Sequence, residues 1–248
     1  MVRVLIGGAD CARAGARIAL SGFPSVFKGA YTPLDVGVDV RDGDEASTRA
    51  VSRCVVDADG AAVGDGNAAV STSFTPDGEF GVIAINAVVT GEACGGVARA
   101  ILEFLREKGP IDEACFACAA RDEALEARSS GGGCVVYEDV RNDATPSESE
   151  NIVVRCADGL GVKDGVLTTV WHALTCAGVK TRVVYAHAFS TRRNDPEAEQ
   201  GAIAVARAIG RAIETSAFGL RGFDGDAVGR LRTASDANPK DYVASLYM

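Results

Sequence analysis

Histidine is nearly missing from this chain: two residues in 248, at positions 172 and 187. A Ser-His or Cys-His catalytic pair would have to use one of them. Basic charge is also scarce. Lys and Arg number 25 against 34 Asp and Glu, for a net charge of −9 and a pI near 4.8. Such a chain is a poor nucleic-acid binder, because neutralising phosphates takes clustered Lys and Arg. It is repelled by anionic membrane surfaces and favours partners with basic patches. No hydrophobic run approaches the ~20 residues of a membrane span. The opening Met1 to Gly8 is too short an apolar run for a signal peptide and reads as a first strand. The expected compartment is the cytoplasm, with the nucleus as a second one. There the eight cysteines (11, 54, 94, 115, 118, 134, 156 and 176) are expected to be reduced. Most lie in apolar runs, where free Cys packs as a small hydrophobe.

Phosphate-binding signatures are absent as well. Gly7-Gly8 and Gly131-Gly132-Gly133 extend neither into G-x-G-x-x-G nor into a P-loop. Gly7-Gly8-Ala9-Asp10 does follow a predicted strand, so a nucleotide site there is a secondary possibility. Cys115 and Cys118 have C-x-x-C spacing, but no second pair follows at zinc-ribbon distance. They also fall in a predicted buried strand, which points residues three apart to opposite faces. Core packing is the expectation. His172 falls within a predicted helix. His187 ends a predicted strand, where α/β sheets bind ligands, and is the better candidate of the two. Arg192-Arg193 could meet an anion or a partner's acid; a solvated loop is the plainer reading.

What is present is a core. Hydrophobic residues make up 47% of the chain and mean hydropathy is +0.10, as in a soluble globular protein. The first 78 residues are strand-rich. Val51 to Asp57 and Ala68 to Phe74 suggest a hairpin with a long polar connection. From Glu79 strands and helices alternate. Phe80 to Ile85 is a continuous apolar run, as in a strand buried on both faces. A helix is expected from Thr90 to Lys108, stopped by Gly109-Pro110. Strands are expected at Glu113 to Ala119, Val135 to Tyr137, Ile152 to Val154 and Thr181 to Ala186. Asp164 opens a helix ending before Gly178. Asp195-Pro196-Glu197 opens another running to about Thr215. This alternation implies a layered α/β domain with a mixed, largely parallel sheet flanked by helices. The expected organisation is one domain over 1–217 (parts 1–78 and 79–217), then a C-terminal segment, 218–248, with a flexible tail.

The tail ends in Leu246-Tyr247-Met248. A hydrophobic residue, a tyrosine and a terminal carboxylate form a plug that a greasy slot with one lysine could grip. Chance gives such an end in about one in a hundred chains of this composition. The alternation of Asp241 to Tyr247 would also suit a last strand docked on the core.

Three tracts give the ending more weight. They are the strand-helix-strand unit Phe80 to Ala119; Glu150-Asn151-Ile152-Val153 with Asp164-Gly165-Val166-Leu167 through Lys180; and Val183 to Ile213 with its Asp195-Pro196-Glu197-Ala198 start. Together with the tail they resemble the proteasome assembly chaperone family. The tail matches that family's subunit 1 branch, whereas the Asp-Pro-Glu-Ala start is closer to its archaeal and chaperone 2 branch. The resemblance implies a non-catalytic protein that needs no nucleotide or metal. It implies a heterodimer with a chaperone 2-like subunit, seated on the outer face of the forming proteasome α-ring. Leu246, Tyr247 and Met248 would enter a pocket between neighbouring α subunits. The main alternative is an enzyme on a similar α/β scaffold, of the nucleoside phosphorylase or hydrolase type. A deep pocket lined by His187, Arg192 and Arg193 would favour it. A further alternative is the chaperone 2 subunit itself or a homo-oligomeric relative.

Overall fold

The computed structural model describes residues 1–28, 31–40, 50–57, 59, 61, 63, 68–89, 91, 93–120, 134–150, 152–154, 164–188 and 196–234. Its strands are β1 (Val2–Gly7), β2 (Thr32–Pro33), β3 (Asp39–Val40), β4 (Ala50–Arg53), β5 (Val55–Val56), β6 (Val70–Phe74), β7 (Phe80–Ile85), β8 (Ala87–Val88), β9 (Ile111–Ala120), β10 (Val136–Arg141), β11 (Ile152–Val154), β12 (Lys180–His187) and β13 (Arg232–Thr233). Its helices are α1 (Ala14–Ser21), α2 (Ala93–Lys108), α3 (Gly165–Cys176), α4 (Pro196–Thr215) and α5 (Gly225–Arg230).

Eight strands form one mixed sheet in the order β11-β10-β12-β9-β1-β7-β6-β2. The four central strands, β12, β9, β1 and β7, are parallel. They are the apolar runs of the sequence, and both of their faces are covered. Along β9, Cys115, Ala117 and Ala119 face the layer of α1 and α4. Ala114, Phe116, Cys118 and Ala120 face the layer of α2 and α3. Cys115 and Cys118 therefore sit on opposite faces, as strand alternation requires.

The α1 side is built from small residues because α1 lies almost on the sheet. A Cβ on Gly7 would stand 2.0 Å from the Gly15 carbonyl oxygen. One on Gly15 would stand 2.3 Å from the Ala117 carbonyl oxygen and 2.7 Å from the Gly8 nitrogen. All three neighbours are backbone and cannot swing away. Gly15→Ala is thus a test of sign. Helix propensity alone favours alanine by about 1 kcal/mol. Overpacking costs about 1–3 kcal/mol. Urea denaturation is expected to show a net loss of stability.

The N-terminal part does add an antiparallel strand to the main sheet, but the pairing differs from the hairpin expected. β6 pairs with β7, and Ala50 to Val56 does not pair with β6. The reason is the turn between β6 and β7. Thr75 N–H donates to the Phe80 carbonyl at 2.9 Å, Gly78 takes a φ of +69°, and the Asp77 carboxylate accepts from the Thr75 hydroxyl and the Glu79 N–H. β4 instead pairs with β8, and β5 with β13. Asn86, between β7 and β8, bonds both the N–H and the carbonyl of Val55 through its side-chain amide, at 2.9 and 3.0 Å.

Beyond α4 the chain packs back on the body. Phe218, Leu220, Val228 and Leu231 belong to the α1–α4 core. Asp224 caps α5, accepting from the Asp226 and Ala227 N–H groups. Residues 218–234, grouped by sequence with the C-terminal segment, are thus bound to the folded body, and Ala234, the last described residue, is itself buried.

Candidate functional site

Leu246, Tyr247 and Met248 lie outside the described residues, as does all of 235–248. The structure places the root from which they extend. Arg17 of α1 is fully buried and pairs with Glu199 of α4 at 2.6 Å. Its other terminal nitrogen donates to the Leu231 carbonyl, and the pairing nitrogen also reaches the Thr233 hydroxyl at 3.3 Å. Glu199 accepts from the Thr233 N–H at 3.1 Å and from its hydroxyl at 2.8 Å. Burial works against the Glu199 charge, but Arg17 and Thr233 outweigh it and hold the carboxyl below its usual range. The final described hydrogen bond runs from Ala234 N–H to the Cys54 carbonyl at 3.0 Å.

The other candidate region is the C-terminal edge of the parallel strands, where ligands bind in open α/β sheets. Asp10 is fully buried there. Its carboxylate accepts from the N–H groups of Ala12 and Ala14 through one oxygen and of Gly15 through the other. The N-terminus of α1, which would cradle a phosphate, is therefore filled by the chain's own carboxylate. Gly7 and Gly8 serve close packing: a Cβ on Gly8 would stand 2.3 Å from Oδ2 of Asp164. Asp164, also buried, caps α3 by accepting from the Leu167 N–H. Burial pushes Asp10 up to about 6 and raises Asp164 too, each opposed by backbone N–H groups. Burial also pushes the Cys54 thiol up to about 12 and Cys118 well above its ordinary value. Both are protonated at neutral pH, and a thiol is a far weaker nucleophile than a thiolate. His187 is buried at the end of β12, on the edge where sequence placed it, whereas His172 is exposed on α3 and stacked on Trp171. Gly131 to Gly133 and Arg192-Arg193 lie outside the described residues. Among the described residues no group of three or more His, Cys, Asp or Glu could hold a metal ion.

No protein-family model matches the chain, and no curated protein matches it. Solved structures do. PbaB of Pyrococcus furiosus, an archaeal proteasome activator, aligns with a TM-score of 0.50 at 14% identity, covering 92% of this chain and 87% of its own. A Corynebacterium glutamicum protein of unknown function gives 0.50 at 12%, covering 97% and 81%. What they share with this chain is the fold. PbaA of Pyrococcus furiosus, an archaeal homolog of proteasome-assembly chaperone, aligns at 0.44 and 13%, covering 86% and 81%.

Within this fold the sequence pointed to the tail but not to the buried polar contacts around Thr233. Arg17, Glu199 and Thr233 are 182 and 34 residues apart along the chain, and no local pattern links them. Asp10 was legible in principle, as an acidic residue just ahead of an alanine-rich helix.

Proposed function

We propose that this chain is a non-catalytic chaperone for assembly of the proteasome core-particle α-ring, of the proteasome assembly chaperone 1 type. It pairs with a chaperone 2-like subunit and inserts Leu246, Tyr247 and Met248 into a pocket between neighbouring α subunits. It acts in the cytoplasm and nucleus. The observation that carries this reading is a hydrophobic-Tyr-any C-terminus on a fold shared with an archaeal proteasome activator. The edge chemistry supports it over the enzyme alternative, since Asp10 and Asp164 are engaged in capping helices.

In this reading the body supplies the affinity and the tail adds to it. Burying Leu246 is worth ~1.5–3 kcal/mol, and a carboxylate-lysine hydrogen bond ~1.5–3 kcal/mol. The ordering of the tail and the cost of association offset much of this. The tether makes the remainder count. Fourteen residues follow Ala234, and a flexible chain of that length would typically span about 19–22 Å.

Deleting residues 246–248 is expected to weaken binding to isolated α-rings by about 10- to 100-fold, or roughly 1.4–2.7 kcal/mol. Thermal unfolding and the heterodimer should not change. Titration of α-rings with both forms measures this, and equal affinities would overturn the tail's role. Affinity purification should recover a second α/β chaperone with α subunits and without the β subunits of mature particles.

A further inference from the structure

We propose that the β11 edge of the main sheet is a docking site for an extended segment of a partner protein, added as a further strand and carrying alternating apolar and basic side chains. The inference stands on the folded body alone and is independent of the tail reading.

The two edges of the sheet differ. On one, β2 is two residues long and ends in Pro33, which has no N–H to offer. On the other, β11 runs parallel to β10, and no described strand lies on its outer side. An edge strand turns N–H and C=O groups outward, a template for another chain. Natural edges often blunt that template with Lys or Pro. β11 reads Ile152-Val153-Val154 and has neither. Its side chains add to the attraction. Val153 is 43% exposed and Val154 49%, and with Met1 they are the large hydrophobic residues exposed among the described residues. Successive strand residues point to opposite faces, so this edge is apolar on both. Ile152 is buried and holds the strand in place.

The chemistry of the occupant is set by the approach to β11. Glu148 and Glu150 precede the strand, are exposed, and have no cation paired to them among the described residues. Their backbone is well anchored. Ser147 is buried and bonded to Glu138 and Arg182, and Arg182 also holds the Thr145 carbonyl. The Ile152 N–H donates to the Ser149 carbonyl at 3.0 Å. The acidic approach is thus fixed before a partner arrives, which lowers the cost of binding. A segment with Lys or Arg at alternate positions meets the two carboxylates, and the apolar residues between them extend the valine patch. In strand addition main-chain bonds supply affinity and alternate side chains supply selectivity. A second copy of this chain is the poorer occupant, because it brings a second net charge of −9.

The test is fluorescence anisotropy of a labelled, acetylated peptide of alternating valine and lysine, about eight residues long, titrated with the full chain. It should bind, and a valine-glutamate peptide of equal length should bind at least about tenfold more weakly. Changing Glu148→Gln and Glu150→Gln together should weaken the valine-lysine peptide about two- to tenfold, as the loss of two exposed charge pairs does. That loss should shrink as salt is raised. Val154→Lys, which puts a cation on the edge, should weaken it by at least about tenfold. These positions are exposed, so the melting temperature should stay within a few degrees in every variant. The same peptide methylated on every backbone nitrogen keeps its charge and side chains but cannot donate to a strand, and it should not bind. If it binds as well as the unmethylated peptide, the attraction is surface charge alone and the proposal falls. It falls too if the unmethylated peptide does not bind, or if Val154→Lys leaves its affinity unchanged. Sedimentation tests the other occupant: a wild-type dimer that Val154→Lys dissociates would assign the edge to a second copy and overturn the proposal.

Discussion

Replacing Arg182 with methionine is expected to cost about 3–5 kcal/mol of folding stability, the loss that follows when one partner of a buried ion pair is removed. Arg182 has no exposed surface. From β12 it reaches both neighbouring strands, pairing with Glu113 of β9 at 2.8 Å and with Glu138 of β10. It also donates to the Thr145 carbonyl at 2.7 Å and to the Ser147 hydroxyl oxygen at 3.1 Å. Ser147 in turn donates its N–H and its hydroxyl to Glu138, and accepts from the Ala217 N–H at 3.2 Å. One guanidinium thus fastens three strands, the 142–150 loop and the chain leaving α4. Methionine would fill much of the volume but leave two carboxylates buried beside each other. Pairing the change with Glu138→Gln removes half of that stranded charge. The double variant should recover more than 1 kcal/mol relative to additivity, as coupled neighbours do. Urea denaturation of the four forms measures both quantities. A single-variant loss below about 1 kcal/mol would mean that the network contributes little. Arg182 lies near the start of β12, at the end of the sheet away from Asp10, so the folded fraction should keep its tail-dependent binding.

The alternating part of the fold was legible because period and punctuation agreed. Lys108-Gly109-Pro110 closes α2 where expected, with Gly109 at a φ of +103°. Asp164 caps α3 as its position suggested. The N-terminal third was read less well for a definite reason. Thr75-Pro76-Asp77-Gly78 is a turn signal between two strand-like runs, and it directs Val70–Phe74 to Phe80–Ile85. The hairpin expectation passed over it for the longer glycine-rich connection. The strands at Ala50–Arg53 and Val55–Val56 could not be placed from sequence, because their partners lie at 87–88 and 232–233 and an asparagine side chain completes the edge. Of the candidate site, the ending Leu246-Tyr247-Met248 is a sequence feature in full. The buried contacts of Arg17 and Glu199 with Leu231 and Thr233 are purely tertiary. The glycines at 7 and 8 show how a motif can mislead: the same small residues that let a phosphate approach backbone also let a helix do so.

Asp10 is where stability and pH meet. Asp10→Ala is expected to cost about 2–4 kcal/mol. The change strands the Ala12, Ala14 and Gly15 N–H groups in a buried site, and helix capping plus unsatisfied donors are worth that much together. The native carboxylate is itself under strain from burial. Its pKa is about 6 in the fold, against about 3.9 in an unfolded chain. A raised value means that folding favours the protonated form. The contribution of Asp10 is therefore full below about pH 4 and is lost as pH rises through about 6. The shift of about two units corresponds to roughly 3 kcal/mol. Asp164 shifts in the same direction and Glu199 in the opposite one, so the wild-type profile mixes all three. The difference between wild type and Asp10→Asn isolates one of them. Asparagine keeps an acceptor for Ala12 and Ala14 but does not titrate. The unfolding free energy of wild type should fall relative to Asp10→Asn between pH 4 and 7, and the gap should stop changing above pH 7. A constant gap across that range would show that Asp10 stays ionised throughout, with the three N–H groups compensating its burial in full. The same comparison bears on function. A phosphate ligand at this helix end would have to displace the carboxylate from all three N–H groups. Inorganic phosphate should therefore leave the wild-type melting temperature unchanged at pH 7, and a rise of several degrees would reopen a nucleotide site at Gly7-Gly8.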